Sequence, residues 1–230
     1  MTGDAADVWL IRTDLPDEVL AGLETLLDEA ERQRAGALLA ASHRRRYVAA
    51  HGAARVIIGS HLGAPPAQLR WRRGPHGKPE LAGPWTGVQV SLSHSGGLAA
   101  LALTSRRRVG VDVQRRPAGV DVTRVSQRFY PPAEARFVMA ASGPAGQVSR
   151  FTRLWTRKEA CVKVTGGRLL PGLRLPARGS GQLIIHDPGG PLPGPYLVRD
   201  VPAPRGFYAA VAMEGTLPYR VIRHSWPDGN

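Results

Sequence analysis

The stretch Phe151–Leu169, FTRLWTRKEACVKVTGGRL, decides how this chain reads. Its residues up to Thr165 include neither glycine nor proline and then meet Gly166-Gly167, the pattern of a helix closed by a glycine cap. Trp155, Glu159 and Lys163 follow one another at intervals of four and share one helical face, with Lys158 beside them. On spacing alone this is equally well a surface helix whose Glu159–Lys163 pair is worth about 0.2–0.5 kcal/mol. A second motif is needed to give the stripe a meaning.

That motif is Gly110-Val111-Asp112-Val113-Gln114, in a β-branched run that begins at Val109. Strand alternation places Val109, Val111 and Val113 on one side and Asp112 and Gln114 on the other. Taken alone, Asp112 reads equally as a turn or edge-strand charge. If strand and helix pack together, Asp112 and Glu159 could share one hard cation through oxygen and leave positions for water and a phosphate, as Mg²⁺ prefers.

Together the two motifs resemble the 4′-phosphopantetheinyl transferases, and within them the larger, two-lobed Sfp-type group. Its signature is a G-[VI]-D-[VI]-[EQ] strand followed some tens of residues later by W-x-x-K-E-x-x-x-K, filled here by Trp155, Lys158, Glu159 and Lys163. The resemblance implies an α+β fold of two similar lobes related by a pseudo-twofold, with the active site in the cleft between them. Residues 1–105 are then the coenzyme A phosphate-binding lobe and 106–230 the lobe carrying the metal and the catalytic helix.

Upstream pieces extend the resemblance. Arg46 and Arg55, nine positions apart, match two family arginines, the first of which contacts the 3′-phosphate of coenzyme A; the residue-level alternative for the Arg44-Arg45-Arg46 cluster is a solvated helix end. In QLRWRRGPHGKPEL, Leu69, Trp71 and Arg73 alternate on a strand before a Gly74–Gly77 turn, and Arg73, His76 and Lys78 ring that turn with donors suited to phosphate. The Gly77-Lys78-Pro79 triplet matches a family GKP element. Val88–His94 and Leu98–Leu103 form a hairpin. It presents Ser93 and His94 at a strand end, where the family pattern N-[IL]-S-H-S-G is met except that Ser91 stands for asparagine. The resemblance implies cofactor contacts from Ser93 and His94 and the loss of one backbone-supporting contact at Ser91. Cofactor contacts are likewise implied for Lys158 and Lys163.

Helices are expected over Pro16–Leu27, with Asp14 as a cap, and over Glu31–Leu39, Arg44–Leu62, Val120–Tyr130 and Pro132–Ala141. Strands are expected at Val8–Arg12, Leu183–His186, Tyr196–Val201, Phe207–Met213 and Tyr219–His224, the last four in a β-rich closing lobe. The RFYPPAEA segment resembles the family's R-F-F-x-x-x-E region, and the resemblance implies that Phe129 and its neighbours form the docking surface for the carrier protein.

Composition bounds the setting. With 31 Lys and Arg against 18 Asp and Glu the formal net charge is +13, so partners should be anionic. A basic nucleic-acid-binding module, with Trp71 among arginines, is the competing reading, although no recognised binding signature accompanies it. One cysteine, Cys161, excludes an internal disulfide and a cysteine zinc site. The acidic start and the absence of an apolar run near about 18 residues lead us to expect a cytoplasmic protein, monomeric and without membrane contact.

The implied reaction moves 4′-phosphopantetheine from coenzyme A to a serine of an acidic acyl, peptidyl or aryl carrier protein. Mg²⁺ would be held by Asp112 and Glu159 with Gln114 as a weaker ligand, since a neutral amide binds a cation less strongly than a carboxylate. Glu159 would serve as base, and Lys163 and His94 would steady the diphosphate oxygens.

Overall fold

The computed structural model describes residues 4–74 and 76–227. Pro75, within the turn expected to hold phosphate, and Met1–Gly3 of the acidic start lie outside them. In chain order the elements are β1 (Ala5–Arg12), α1 (Asp17–Thr25), α2 (Glu29–Gly36), α3 (Ala41–Leu62), β2 (Trp71–Arg73), β3 (Pro79–Leu81), β4 (Gln89–Ser95) and β5 (Leu98–Thr104). Then come β6 (Val109–Arg115), α4 (Val122–Phe129), α5 (Pro132–Met139), α6 (Gly143–Thr165), α7 (Leu169–Gly172), β7 (Leu183–Ile185), β8 (Tyr196–Val201), β9 (Phe207–Glu214) and β10 (Arg220–Trp226).

Two four-stranded sheets form, ordered β10-β1-β5-β4 and β6-β9-β8-β7, with β2 and β3 as a separate ribbon. Period-two alternation explains their packing. Val8 and Leu10 of β1, Ala100 and Ala102 of β5, and Val109, Val111 and Val113 of β6 join one core cluster with Val211, so the sheets bury these faces against each other. The opposite face of the first sheet, through Ile11, Leu101 and Leu103, takes Ala50, Ala53, Ala54, Ile57 and Ile58 of α3. That of the second, through Val198, Ala210 and Ala212, takes Ala160, Cys161 and Val164 of α6. Small residues on both long helices let them lie close to their sheets.

Helix α6 ends as its sequence requires: Gly166 adopts φ +76° and its N–H donates to Val162 O at 3.0 Å, closing the last turn. It begins eight residues upstream of Phe151, because Pro144 in the first turn has no N–H to leave unpaired. Asp14 does not cap α1, whose N-cap is Pro16; it pairs with Arg12 at 3.0 Å instead. The Tyr219–His224 segment also departs from expectation. As β10 it leaves the sheet of β7, β8 and β9 and runs parallel to β1, with Ala5 opposite Arg220 and Ile11 opposite Trp226. Residues at the two ends of the chain thus close one sheet, which no local pattern announces.

Candidate active site

The seam between β4 and β6 builds the site. Ser91, Ser93 and Ser95 point the same way along β4, toward the neighbouring β6. Ser91 Oγ accepts the Val111 N–H and Ser95 Oγ the Arg115 N–H, both at 3.0 Å. The backbone support expected to be missing at Ser91 is therefore supplied by its hydroxyl. Between these two, Ser93 Oγ donates to Asp112 Oδ1 at 2.7 Å.

The glycine of the strand motif brings the helix in. A Cβ at Gly110 would lie 2.0 Å from Ala160 O and 2.6 Å from Val164 N, so α6 rests directly on the strand backbone. Asp112 and Gln114 alternate with the core valines and share the side of β6 on which Gly110 meets α6. Lys163 Nζ donates to Asp112 Oδ1 at 2.6 Å and to Ser93 Oγ at 2.7 Å, and lies 3.7 Å from Glu159 Oε2. One ammonium thus faces two carboxylates, one of them fully enclosed: Asp112 is 1% exposed.

Their electrostatics are those of an under-neutralised pair. Burial raises the Asp112 pKa, against the pull of Lys163 and Ser93. Burial and then the charge of Asp112 raise that of Glu159, again with Lys163 opposing. Asp112 Oδ2 is buried and has no hydrogen-bond partner. An orphaned carboxylate oxygen next to a second acid is what an oxygen-seeking cation would satisfy, so the residues present fit Mg²⁺. Among the described residues no three His, Cys, Asp or Glu side chains converge on one point, which leaves any further coordination to the Gln114 amide, water and substrate oxygens.

Beside this pair opens a cleft of two adjoining cavities, about 540 and 470 Å³, which share Arg34, Tyr47, His51 and His94. The larger is walled by Trp71, Arg73, His76, Gly77, Lys78 and Pro79 and reaches Lys163 and Gly166. The smaller is lined by Arg46, His43 and Gly96 besides the shared residues, with no carboxylate. His94 lies at the rim, and its pKa is lowered by partial desolvation and then by His51, Lys163, Arg46 and His43. Arg34, His43 and His51 are cleft residues that sequence reasoning missed. Arg34 and His51 stand on helices without a motif, and His43 directly precedes the Arg44-Arg45-Arg46 cluster. The signal that could have brought them in was the capping box of Asp28 and Glu31, which fixes α2 and with it Arg34.

Three expected cofactor ligands lie elsewhere. Arg55 is fully buried and bound by Glu31 and Asp28, each at 2.6 Å, and by the Pro66 and Leu69 carbonyls at 3.1 Å. Lys158, also fully buried, donates to Glu134 at 2.5 Å and to Leu175 O, with the Tyr130 ring 4.6 Å away. One position along a helix turns a side chain by roughly 100°, so Lys158 points into the core while Glu159 faces the strand. Ser93 is buried behind the cleft and holds Asp112 and Lys163. Lys78 borders the larger cavity, but its ammonium is turned onto the Val109 and Val164 carbonyls at 2.6 and 3.2 Å.

Comparison with known proteins identifies the family. Residues 108–191, which include Asp112, Glu159 and Lys163, match the 4′-phosphopantetheinyl transferase superfamily model. The chain is 34% identical over 169 residues to the 4′-phosphopantetheinyl transferase HetI of Nostoc sp., covering 72% of this chain and 70% of that protein. It is 30% identical over 171 residues to a putative 4′-phosphopantetheinyl transferase of Synechocystis sp., covering 72% and 67%. Against a 4′-phosphopantetheinyl transferase of Bacillus subtilis the identity is 29% over 163 residues, covering 65% and 68%. None of these matches supports a nucleic-acid-binding module. The pairing of a GVDVQ strand with a WTRKEACVK helix and the extent of these likenesses lead to one conclusion: the chain belongs to the 4′-phosphopantetheinyl transferase superfamily.

Proposed function

We propose that the protein transfers the 4′-phosphopantetheine arm of coenzyme A to a serine hydroxyl of an apo carrier protein and releases adenosine 3′,5′-bisphosphate. The observation that carries this is the unpartnered Asp112 Oδ2, set beside Glu159 and Lys163 at the edge of a basic cleft. The serine oxygen attacks the β-phosphorus, the bond from that phosphorus to the oxygen bridging to the α-phosphate breaks, and the hydroxyl proton must be taken up. Glu159, beside Lys163 at the edge of the cleft, is the group placed to accept it.

Mg²⁺, held by Asp112 and Glu159 with Gln114 as a weaker ligand, would neutralise diphosphate charge. Lys163 and His94 steady the phosphate oxygens from the protein side, and Arg46 takes the 3′-phosphate in the smaller cavity. Arg73, His76, Gly77 and Pro79 form the nucleotide wall. Ser93 acts indirectly: its hydrogen bond occupies Asp112 Oδ1 and leaves Oδ2 free.

The finer assignment is to the Sfp-type group, with two related lobes of residues 1–105 and 106–230. It is supported by the repetition of one long helix, α3 or α6, on each four-stranded sheet, with β10 returned to the first. An acidic carrier complements the +13 charge, and a cleft complete within one chain suits a monomer. Cys161 is buried and its thiol is pushed up by burial, as fits a structural residue in a reducing compartment such as the cytoplasm. Among the described residues no helix is long and apolar enough to cross a membrane. The test is incubation with a purified apo carrier, coenzyme A and Mg²⁺, read by mass spectrometry. A gain of roughly 340 Da is expected and should vanish in Asp112→Ala and Glu159→Ala; an unmodified carrier with the unaltered enzyme would overturn the assignment.

A further inference from the structure

Lys78 lies where a phosphate donor is expected but is occupied differently. Its ammonium reaches Val109 O, at the first residue of β6, and Val164 O, in the last turn of α6. Those two elements carry Asp112 and Glu159. The Val164 carbonyl is one of the four left without an intrahelical donor at a helix end, where the dipole also favours a cation. Room for the side chain is made by Gly166: a Cβ there would lie 2.8 Å from Lys78 Cβ and 3.3 Å from Lys78 N. Lys78 itself belongs to the wall of the larger cavity, together with Arg73, His76, Gly77 and Pro79. One half-buried cation therefore touches the nucleotide wall, the strand of one acid and the helix of the other.

We propose that Lys78 is a positioning residue whose ammonium fastens the wall of Arg73, His76, Gly77 and Pro79 to the start of β6 and the end of α6, setting where a bound nucleotide lies relative to Asp112 and Glu159. The fastening is a property of the free protein, whereas its consequence for catalysis rests on the transferase reading. Two of the three ammonium hydrogens are spent on carbonyls, and no carboxylate lies within 4.0 Å of Lys78 among the described residues. The charged groups that influence it from surrounding elements are Glu80 of β3, Arg108 before β6 and Glu214 of β9. Burial, reinforced by Arg108, outweighs the two glutamates and pushes its pKa down to about 8, so the fastening should loosen in mildly alkaline solution.

The first measurement uses the free full-length protein without coenzyme A. Lys78→Met keeps the stem and removes the donors, and hydrogen exchange is followed at the Gly166 and Gly167 amides, both bonded to Val162 O. About tenfold faster exchange is expected, as loss of a charge-assisted bond implies; unchanged exchange overturns the fastening. In turnover, kcat should fall more than KM rises, with the salt dependence of coenzyme A affinity unchanged. A weaker salt dependence means that Lys78 contacts phosphate directly and overturns the proposal. If Lys78→Met does not fold, the unaltered protein serves: exchange at these amides, corrected for the intrinsic chemical rate, should accelerate between roughly pH 7 and 9, and a flat corrected profile overturns it. Failure of the transferase reading would appear separately, as no mass gain on the carrier with the unaltered enzyme.

Discussion

Replacing Gly110 with alanine should separate helix α6 from strand β6 and damage stability and catalysis together. The added Cβ would meet Ala160 O at 2.0 Å, Val164 N at 2.6 Å and Lys163 C at 2.9 Å, all backbone atoms that no rotamer change can move aside. Reaching an ordinary contact near 3.4 Å requires a relative shift of about 1.4 Å. Overpacking of this kind costs about 1–3 kcal/mol, which for a chain of this length lowers Tm by about 2–12 °C. Asp112 is two residues from Gly110, and Glu159 adjoins Ala160, so the shift acts on the spacing of the two acids. A misplacement near 1 Å at a reacting centre can cost about a hundredfold in rate. The assays are urea and thermal unfolding, the Mg²⁺ midpoint, and the initial rate of carrier modification by mass. Gly22 in α1 provides the control: nothing lies within 4 Å of its added Cβ, so Gly22→Ala should stabilise by about 0.4–1 kcal/mol without touching activity. Gly110→Ala with Tm unmoved and transfer at the normal rate would refute the close-approach argument.

Other perturbations separate roles that look alike in sequence. Arg46→Ala should weaken coenzyme A binding by about 10–100-fold, as loss of a charge-assisted contact implies, with little change in Tm. Arg55→Ala and Lys158→Met each strand a buried carboxylate and should cost about 3–5 kcal/mol in unfolding experiments; a variant of either that unfolds normally yet has lost coenzyme A would return that residue to the binding site. Because the free His94 pKa is held below the usual imidazole value, phosphate binding should raise it. Binding then takes up a proton and strengthens as pH falls toward about 6, which calorimetry in buffers of different ionisation heat will show; no net uptake refutes it. Gln114→Glu should lower the Mg²⁺ concentration needed for half-maximal transfer, and an unchanged midpoint removes Gln114 from the ligand set.

Local periodicity made the centre of the site readable before any coordinates. Glu159 and Lys163 on one helical face, Asp112 opposite the valines of its strand, and Gly166 as a left-handed cap are properties of consecutive residues. The identities of buried partners were not readable. Arg55, Lys158 and Ser93 carry the same groups as true phosphate ligands, and only packing reveals that Glu31, Glu134 and Asp112 claim them. Those contacts join residues 24, 24 and 19 positions apart.

By itself the sequence determined that Glu159 and Lys163 share one helical face and that Asp112 stands opposite the valines of its strand, because each follows from a repeat of two or of about four residues. Tertiary structure alone decided which basic groups remain free to meet an anion. It also decided that β10 returns to β1 and that Lys78 spends its ammonium on two carbonyls. The physical reason is that a buried charge must be compensated by whatever the fold brings within reach, and that is a property of the assembled chain and not of any segment.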